Sequence, residues 1–202
     1  MECTAFAGER RIASGDLRRV ALEAKAALAR DKWVQVVIFD DVTSNLIEVD
    51  LRGTADEVLE RLAECRDQAI TQPAEAEGHA PRGPGRPKLG VVAREVTLLP
   101  RHWEWLASQP GGASVALRKL VENARTANRS KDRLRTAQEA AYRFLSAMAG
   151  NAAGFEEAVR ALFAGNREKF DHIVEPWPVD IRDHAKKVAA AAFAESGPLT
   201  AI

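Results

Sequence analysis

The sequence has little of several residue types, and each shortage excludes a class of protein. Its 202 residues include only two cysteines, Cys3 and Cys65, which excludes a disulfide scaffold and a Cys-x-x-Cys pair for zinc or redox chemistry. No apolar run approaches the roughly 20 residues that cross a bilayer. The start of the chain has the acidic Glu2 and lacks the apolar segment of a secretory signal. We therefore expect a cytoplasmic protein.

The chain also has no excess of charge of either sign. It has 29 basic and 29 acidic residues, which excludes a uniformly basic nucleic-acid coat protein and a strongly acidic tail. Hydrophobic residues make up 46% of the chain, enough to bury a core, so disorder of the whole chain is excluded as well.

The zero net charge is an average over unlike segments. Residues 1–75 have 10 basic and 15 acidic side chains, residues 76–135 have 12 and 5, and residues 136–202 have 7 and 9. The middle segment is therefore a cationic block with a charge of +7, which favours a polyanionic partner. The block begins in a segment rich in proline and glycine, where no packed element explains the basic residues.

The first 65 residues predict a small α+β domain. A capping signal at Ser14-Gly15-Asp16 precedes an apolar helical stripe, and Gly53-Thr54 precedes a second one. β-Branched and aromatic runs predict four short strands. These strands lie at residues 3–7, 10–13, 33–39 and 46–51, with the first helix at 17–30.

The remaining chain divides into three predicted parts, and the fold class is α+β overall. Residues 66–90 hold four of the nine prolines and predict a flexible basic linker. Residues 91–128 predict a short strand ended by Pro100, then two helices separated by Pro110-Gly111-Gly112. Residues 129–202 have apolar residues at steps of three and four, which predicts an all-helical region.

The strand and the two helices of residues 91–128 resemble the ribbon-helix-helix family of bacterial DNA-binding regulators. The matching segments are Arg94-Glu95-Val96-Thr97-Leu98-Leu99-Pro100 and Gly112-Ala113-Ser114-Val115-Ala116-Leu117-Arg118-Lys119-Leu120-Val121. The resemblance implies that two chains pair their strands and that the start of the second helix meets a phosphate. Ser114 is expected to cap that helix, and unpaired N–H groups at Gly112–Ser114 favour an anion. The strand departs from the family because Arg94 shares a face with Val96 and Leu98.

Two further resemblances involve the linker. The segment Arg82-Gly83-Pro84-Gly85-Arg86-Pro87-Lys88 resembles an AT-hook, whose Gly-Arg-Pro core lies in the A·T minor groove, although Pro84 stands where the hook has a second close arginine. The run from Gly85 to Arg125, with Trp103-Glu104-Trp105, resembles an uncharacterised bacterial family of unknown function.

These features predict a homodimeric protein that binds double-stranded DNA and regulates transcription, without a cofactor, a metal or an enzymatic activity. The alternative is a non-enzymatic protein-interaction or adaptor module. The predicted DNA-binding residues are Arg82, Arg86, Lys88, Arg94, Thr97, Ser114, Arg118 and Lys119.

Other polar residues carry weaker signals. Asp40 and Asp41 are expected to be solvated capping groups of a turn rather than cation ligands. The histidines, including His172 and His184, stand at no metal-ligand spacing, so we expect each on the surface or with a satisfied hydrogen-bond partner.

Overall fold

The computed structural model describes residues 1–71 and 94–195, with side chains for all of these except 65–71. The described residues form two compact units. We call residues 1–70 with 130–195 the first unit and residues 71 and 94–129 the second unit. The α+β class predicted from the sequence is confirmed, since a small antiparallel sheet is combined with a mostly helical remainder.

The first unit contains three strands and most of the helices. Its strands are β1 (Glu2–Ala7), β2 (Arg10–Asp16) and β3 (Val36–Asp40), and its helices are α1 (Leu17–Arg30), α2 (Ala55–Thr71), α5 (Arg129–Ala149), α6 (Phe155–Phe163), α7 (Arg167–Val174) and α8 (Val179–Glu195). The second unit contains α3 (Pro100–Ala107) and α4 (Gly112–Ala127).

The sheet has the order β2-β1-β3, and both strand pairs are antiparallel. Alternation along β1 sends successive side chains to opposite faces. Cys3 and Ala5 pack with Val20 and Ala24 of α1 in one buried cluster. Phe6 belongs instead to the large core formed with the C-terminal helices. The central strand therefore contributes to two cores.

Aromatic side chains join the sheet to the C-terminal helices. The ring centroid of Phe144 on α5 lies 5.6 Å from that of Phe6 and 5.3 Å from that of Phe39. All three side chains are buried, and such ring pairs stabilise a core beyond their buried area. The sequence assigns residues 1–65 and 129–202 to different regions, whereas in the structure the two segments share this core.

The prediction of a fourth strand at residues 46–51 is wrong. Only an isolated bridge between Phe39 and Leu46 extends the sheet there. Beyond the bridge, the Asp50 carboxylate accepts from the backbone N–H of Arg52 at 3.1 Å, and an Arg61 guanidinium donates to the Asp50 carbonyl at 2.9 Å. Side chains therefore satisfy backbone groups that a strand neighbour would otherwise pair.

The buried strand predicted from Trp33 starts later than expected. Trp33 is 96% exposed, and β3 begins at Val36. The Asp31 carboxylate accepts from the Trp33 N–H at 2.9 Å, which holds a turn at that position. The aromatic residue at the start of the run is thus outside the sheet.

In the second unit, the two predicted helices form but the strand does not. Residues 94–99 have no strand pairing within the described chain, and residues 91–93 of the predicted strand lie outside it. Helix α4 begins at Gly112 and its N-cap is Gly111, so Ser114 lies inside the helix and the predicted Ser114 cap is wrong. Gly111 has φ 86°, a left-handed conformation that glycine adopts without steric cost.

Candidate nucleic-acid interface

Five of the eight predicted DNA-binding residues belong to the second unit. Arg94 and Thr97 precede α3, and Ser114, Arg118 and Lys119 lie on α4. The other three, Arg82, Arg86 and Lys88, lie outside the described residues, as does the AT-hook-like segment that contains them.

The basic side chains of α4 are exposed and mostly without acidic partners. Arg118 donates from Nε to the Ser114 carbonyl at 3.1 Å, which bends its side chain back along its own helix. Lys119 forms no ion pair within the described part of the chain. Arg125 has only the long 3.9 Å contact with Glu122, and both side chains are exposed. Exposed pairs of this kind contribute little stability, so these cations can exchange their contacts for phosphates.

The first turn of α4 offers backbone donors next to these cations. Gly112 is not one of them, because its N–H donates to the Gln109 carbonyl at 3.0 Å. The prediction that the Gly112 N–H is unpaired is therefore wrong. The N–H groups of Ala113 and Ser114 have no acceptor among the described residues. A helix N-terminus with free N–H groups favours an anion.

Arg94 and Thr97 are exposed and lie in the irregular segment before α3. Within residues 1–71 and 94–195, no hydrogen bond or ion pair connects either side chain to α4. The structure therefore places Ser114, Arg118 and Lys119 together on one helix and leaves Arg94 and Thr97 on a separate segment.

The second unit leaves much of its apolar surface exposed. Its only buried residues are Leu106 and Ala116 among those described. On α4, Leu120 is 46% exposed and Val121 is 62% exposed, although apolar residues at i, i+3, i+4 and i+7 from Leu117 predict a buried face. The other exposed large apolar residues of this unit are Val96, Leu99, Trp103 and Trp105.

A polar cluster lies in the first unit, where β3 ends. Asp40 accepts from the N–H groups of Val42 and Thr43, as the predicted turn cap requires. Asp41 instead accepts from Thr4 Oγ1 at 2.6 Å and from Lys187 Nζ at 2.7 Å. Burial raises the pKa of Asp41, but the hydrogen bonds from Lys187 and Thr4 outweigh burial and hold the pKa below its usual value.

His184 contradicts the expectation that each histidine is exposed or satisfied. It is 1% exposed, and neither Nδ1 nor Nε2 has a hydrogen-bond partner within the described residues. Its ring centroid lies 4.5 Å from that of Phe144 and 5.3 Å from that of Phe6. Burial, with the nearby Lys187 ammonium, lowers the pKa of His184 to about 4. The sequence pattern gives no signal of this, because the aromatic neighbours come from distant segments.

His184 makes stability sensitive to mild acid. Its pKa is lower in the folded chain than its ordinary value of 6.5, so the unfolded chain binds the proton first and stability falls as the pH drops below 6.5 toward 4. Between pH 7 and pH 5 we expect a loss of about 2 kcal/mol of unfolding free energy. Urea unfolding at both pH values measures it. His184→Phe should remove most of the loss, while the exposed His172→Gln should retain it; an equal loss in both variants would contradict this role.

The described residues contain neither a cluster suited to a metal ion nor a helix suited to a membrane. No group of three or more His, Cys, Asp or Glu side chains there is arranged to hold a metal ion. Within the same residues, every helix is too short or too polar to cross a membrane.

The comparisons with known proteins give one match. A family model described as an uncharacterized protein conserved in bacteria (DUF2239) matches residues 2–189. This confirms the resemblance to an uncharacterised bacterial family that the run from Gly85 to Arg125 indicates. No curated protein and no solved structure matches the chain significantly.

Proposed function

The chain belongs to the uncharacterized bacterial family DUF2239, and we propose that it is a homodimeric protein that binds double-stranded DNA through its second unit and regulates transcription. One observation carries the proposal. On α4, the exposed cations Arg118 and Lys119 follow directly after a first turn that contains N–H groups without an acceptor among the described residues.

This arrangement suits a phosphate backbone. The free N–H groups of Ala113 and Ser114 point along the helix axis at its positive end, and Arg118 and Lys119 add two full charges one turn further on. Phosphate contacts from basic side chains and helix N-termini position a protein on a duplex. Three further basic residues earlier in the same cationic block add charge toward the same partner, namely Arg82, Arg86 and Lys88.

The apolar surface of the second unit supports a second copy as its partner. A unit with a very small core is seldom stable alone, and oligomerisation is a common remedy. This unit has Leu106 and Ala116 as its only buried residues within the described chain, and it exposes Leu120 and Val121. In a ribbon-helix-helix dimer, the strand pairs with its own copy, so under this proposal residues 94–99, which have no strand pairing within the described part of one chain, become ordered as a strand only in the dimer.

Binding of the full chain to labelled duplexes tests the proposal. The full chain is needed because Phe6 and Phe39 complete the core of the C-terminal helices, so an N-terminal truncation would expose that core. Fluorescence anisotropy with A·T-rich and mixed-sequence duplexes should show binding that weakens as salt is raised, because each neutralised phosphate releases counterions. Absence of binding to either duplex at low salt would overturn the proposal. If duplex binding is absent and protein partners co-purify with the chain after nuclease treatment, the two results together support the adaptor alternative.

A further inference from the structure

Helix α3 exposes a tryptophan and an arginine on the same face. Trp105 is 51% exposed, and Arg101, four residues earlier, is exposed as well. Residues four apart on a helix are neighbours on its surface. Trp103 lies instead three residues before Leu106, on the side of the helix that Leu106 buries. The indole of Trp105 and the guanidinium of Arg101 therefore share a face that is open to solvent.

Hydrogen bonds hold the backbone at Trp105 in place. Carbonyls in the last turn of a helix lack donors from the helix itself. Here the Trp105 carbonyl accepts from Ser108 Oγ at 2.8 Å and from Gln109 Nε2 at 3.2 Å. The Gln109 N–H donates to the Leu106 carbonyl at 3.2 Å, which closes the turn. The indole ring is thus carried on a fixed backbone, which reduces the entropic cost of binding a partner.

Arg101 is available to an anion. Its guanidinium forms no ion pair within residues 1–71 and 94–195, although the exposed Glu104 lies three residues further along the helix. Residues 94–129 of the second unit have six basic and three acidic side chains. The charge around Trp105 therefore favours a partner that is negatively charged.

The two side chains match the two parts of a nucleotide. An exposed indole face stacks on a base, and aromatic side chains next to cations are a common means of binding single strands. A guanidinium fits a phosphate through two parallel hydrogen bonds. The bases of an intact duplex are stacked on one another, so only an unpaired base offers its face to Trp105.

We propose that Trp105 stacks on an unpaired base of bound DNA while Arg101 binds a neighbouring phosphate. The second unit then holds single-stranded or locally opened DNA in addition to the duplex backbone. This role of α3 rests on the proposed function, because both have DNA as the partner. It uses different residues, however, since the duplex contacts are assigned to α4.

Anisotropy titrations of the full chain with a labelled oligothymidine and with a mixed-sequence duplex test the proposal. Trp105→Ala should weaken oligothymidine binding about tenfold, because a stacked base is lost, and should change duplex binding less than about twofold. Trp105→Phe keeps an aromatic ring and should retain most of the affinity. Arg101→Gln should weaken oligothymidine binding and make its logarithmic salt dependence shallower by about 0.7, because one fewer phosphate is neutralised.

The matched control is Trp33→Ala in the first unit. Trp33 is exposed like Trp105 and follows the basic Lys32, so it is a second solvent-facing indole beside a cation. This variant should bind both DNA probes as the wild type does.

Three results would overturn the proposal. The first is a wild-type chain that does not bind oligothymidine at low salt, and the second is oligothymidine binding that Trp105→Ala leaves unchanged. The third is equal weakening of both probes by Trp105→Ala, which would place Trp105 at the interface between two chains rather than on a base. Binding of oligothymidine that depends on Trp105, without any binding of duplex, would overturn the proposed duplex binding but support this role of α3.

Discussion

Reversing two neighbouring charges on α4, with Arg118→Glu and Lys119→Glu combined, is expected to weaken duplex binding about 100-fold at moderate salt. Each charged hydrogen bond to a phosphate that the variant cannot form is worth about 1.5 kcal/mol, and two add to this factor. The slope of the logarithm of affinity against the logarithm of salt concentration should also become less steep by about 2, because two fewer phosphates are neutralised. Anisotropy titrations at several salt concentrations measure both quantities.

The matched control changes the net charge by the same amount elsewhere. Arg30→Glu and Lys32→Glu lie at the end of α1 and just after it, and both wild-type side chains are exposed. The control pair should weaken binding only slightly, through the long-range field of the protein. Equal weakening by the two pairs would show that net charge, rather than α4, governs binding.

The second large effect concerns the core that joins the two ends of the chain. Phe6→Ala is expected to lower the unfolding free energy by about 3–5 kcal/mol, because a buried ring is removed from contact with Phe39, Phe144 and His184. Since β1 and α5 share this core, the sheet and the C-terminal helices should unfold together. Urea unfolding followed by far-UV and near-UV circular dichroism measures the free energy and the cooperativity.

Phe163→Ala provides the comparison. Phe163 is 50% exposed at the end of α6, where its ring lies against Tyr142, and its removal should cost less than about 1 kcal/mol. If Phe6→Ala left the helical transition at its wild-type position, the N-terminal sheet and the C-terminal helices would be independent, contrary to the shared core.

The sequence predicts the regular elements well where one apolar stripe settles the geometry. The helices that become α1, α5, α6 and α8 follow from residues at steps of three and four, and β1 follows from a short apolar run. The sequence pattern wrongly predicts a strand at residues 46–51. There the side chains of Asp50 and Arg61 form hydrogen bonds with backbone groups that a strand would pair. Such side-chain to backbone bonds compete with sheet pairing and leave no periodic signature.

The candidate sites, too, are only partly predictable from the sequence. The cationic block locates Arg118 and Lys119 because charge is readable from the sequence, but the capping pattern points to Ser114 rather than to Gly111. The buried position of His184 is not predicted at all, because its aromatic neighbours Phe6 and Phe144 come from distant segments of the chain.

The mass of the protein–DNA complex tests the central claim most directly. Multi-angle light scattering after size exclusion, at low salt and with one short duplex, counts the chains bound to it. The account predicts a complex of one duplex and two chains, held together by the apolar surface around Leu120 and Val121 and by the cations of α4. A complex with a single chain, or duplex and monomeric protein that elute separately, would contradict it.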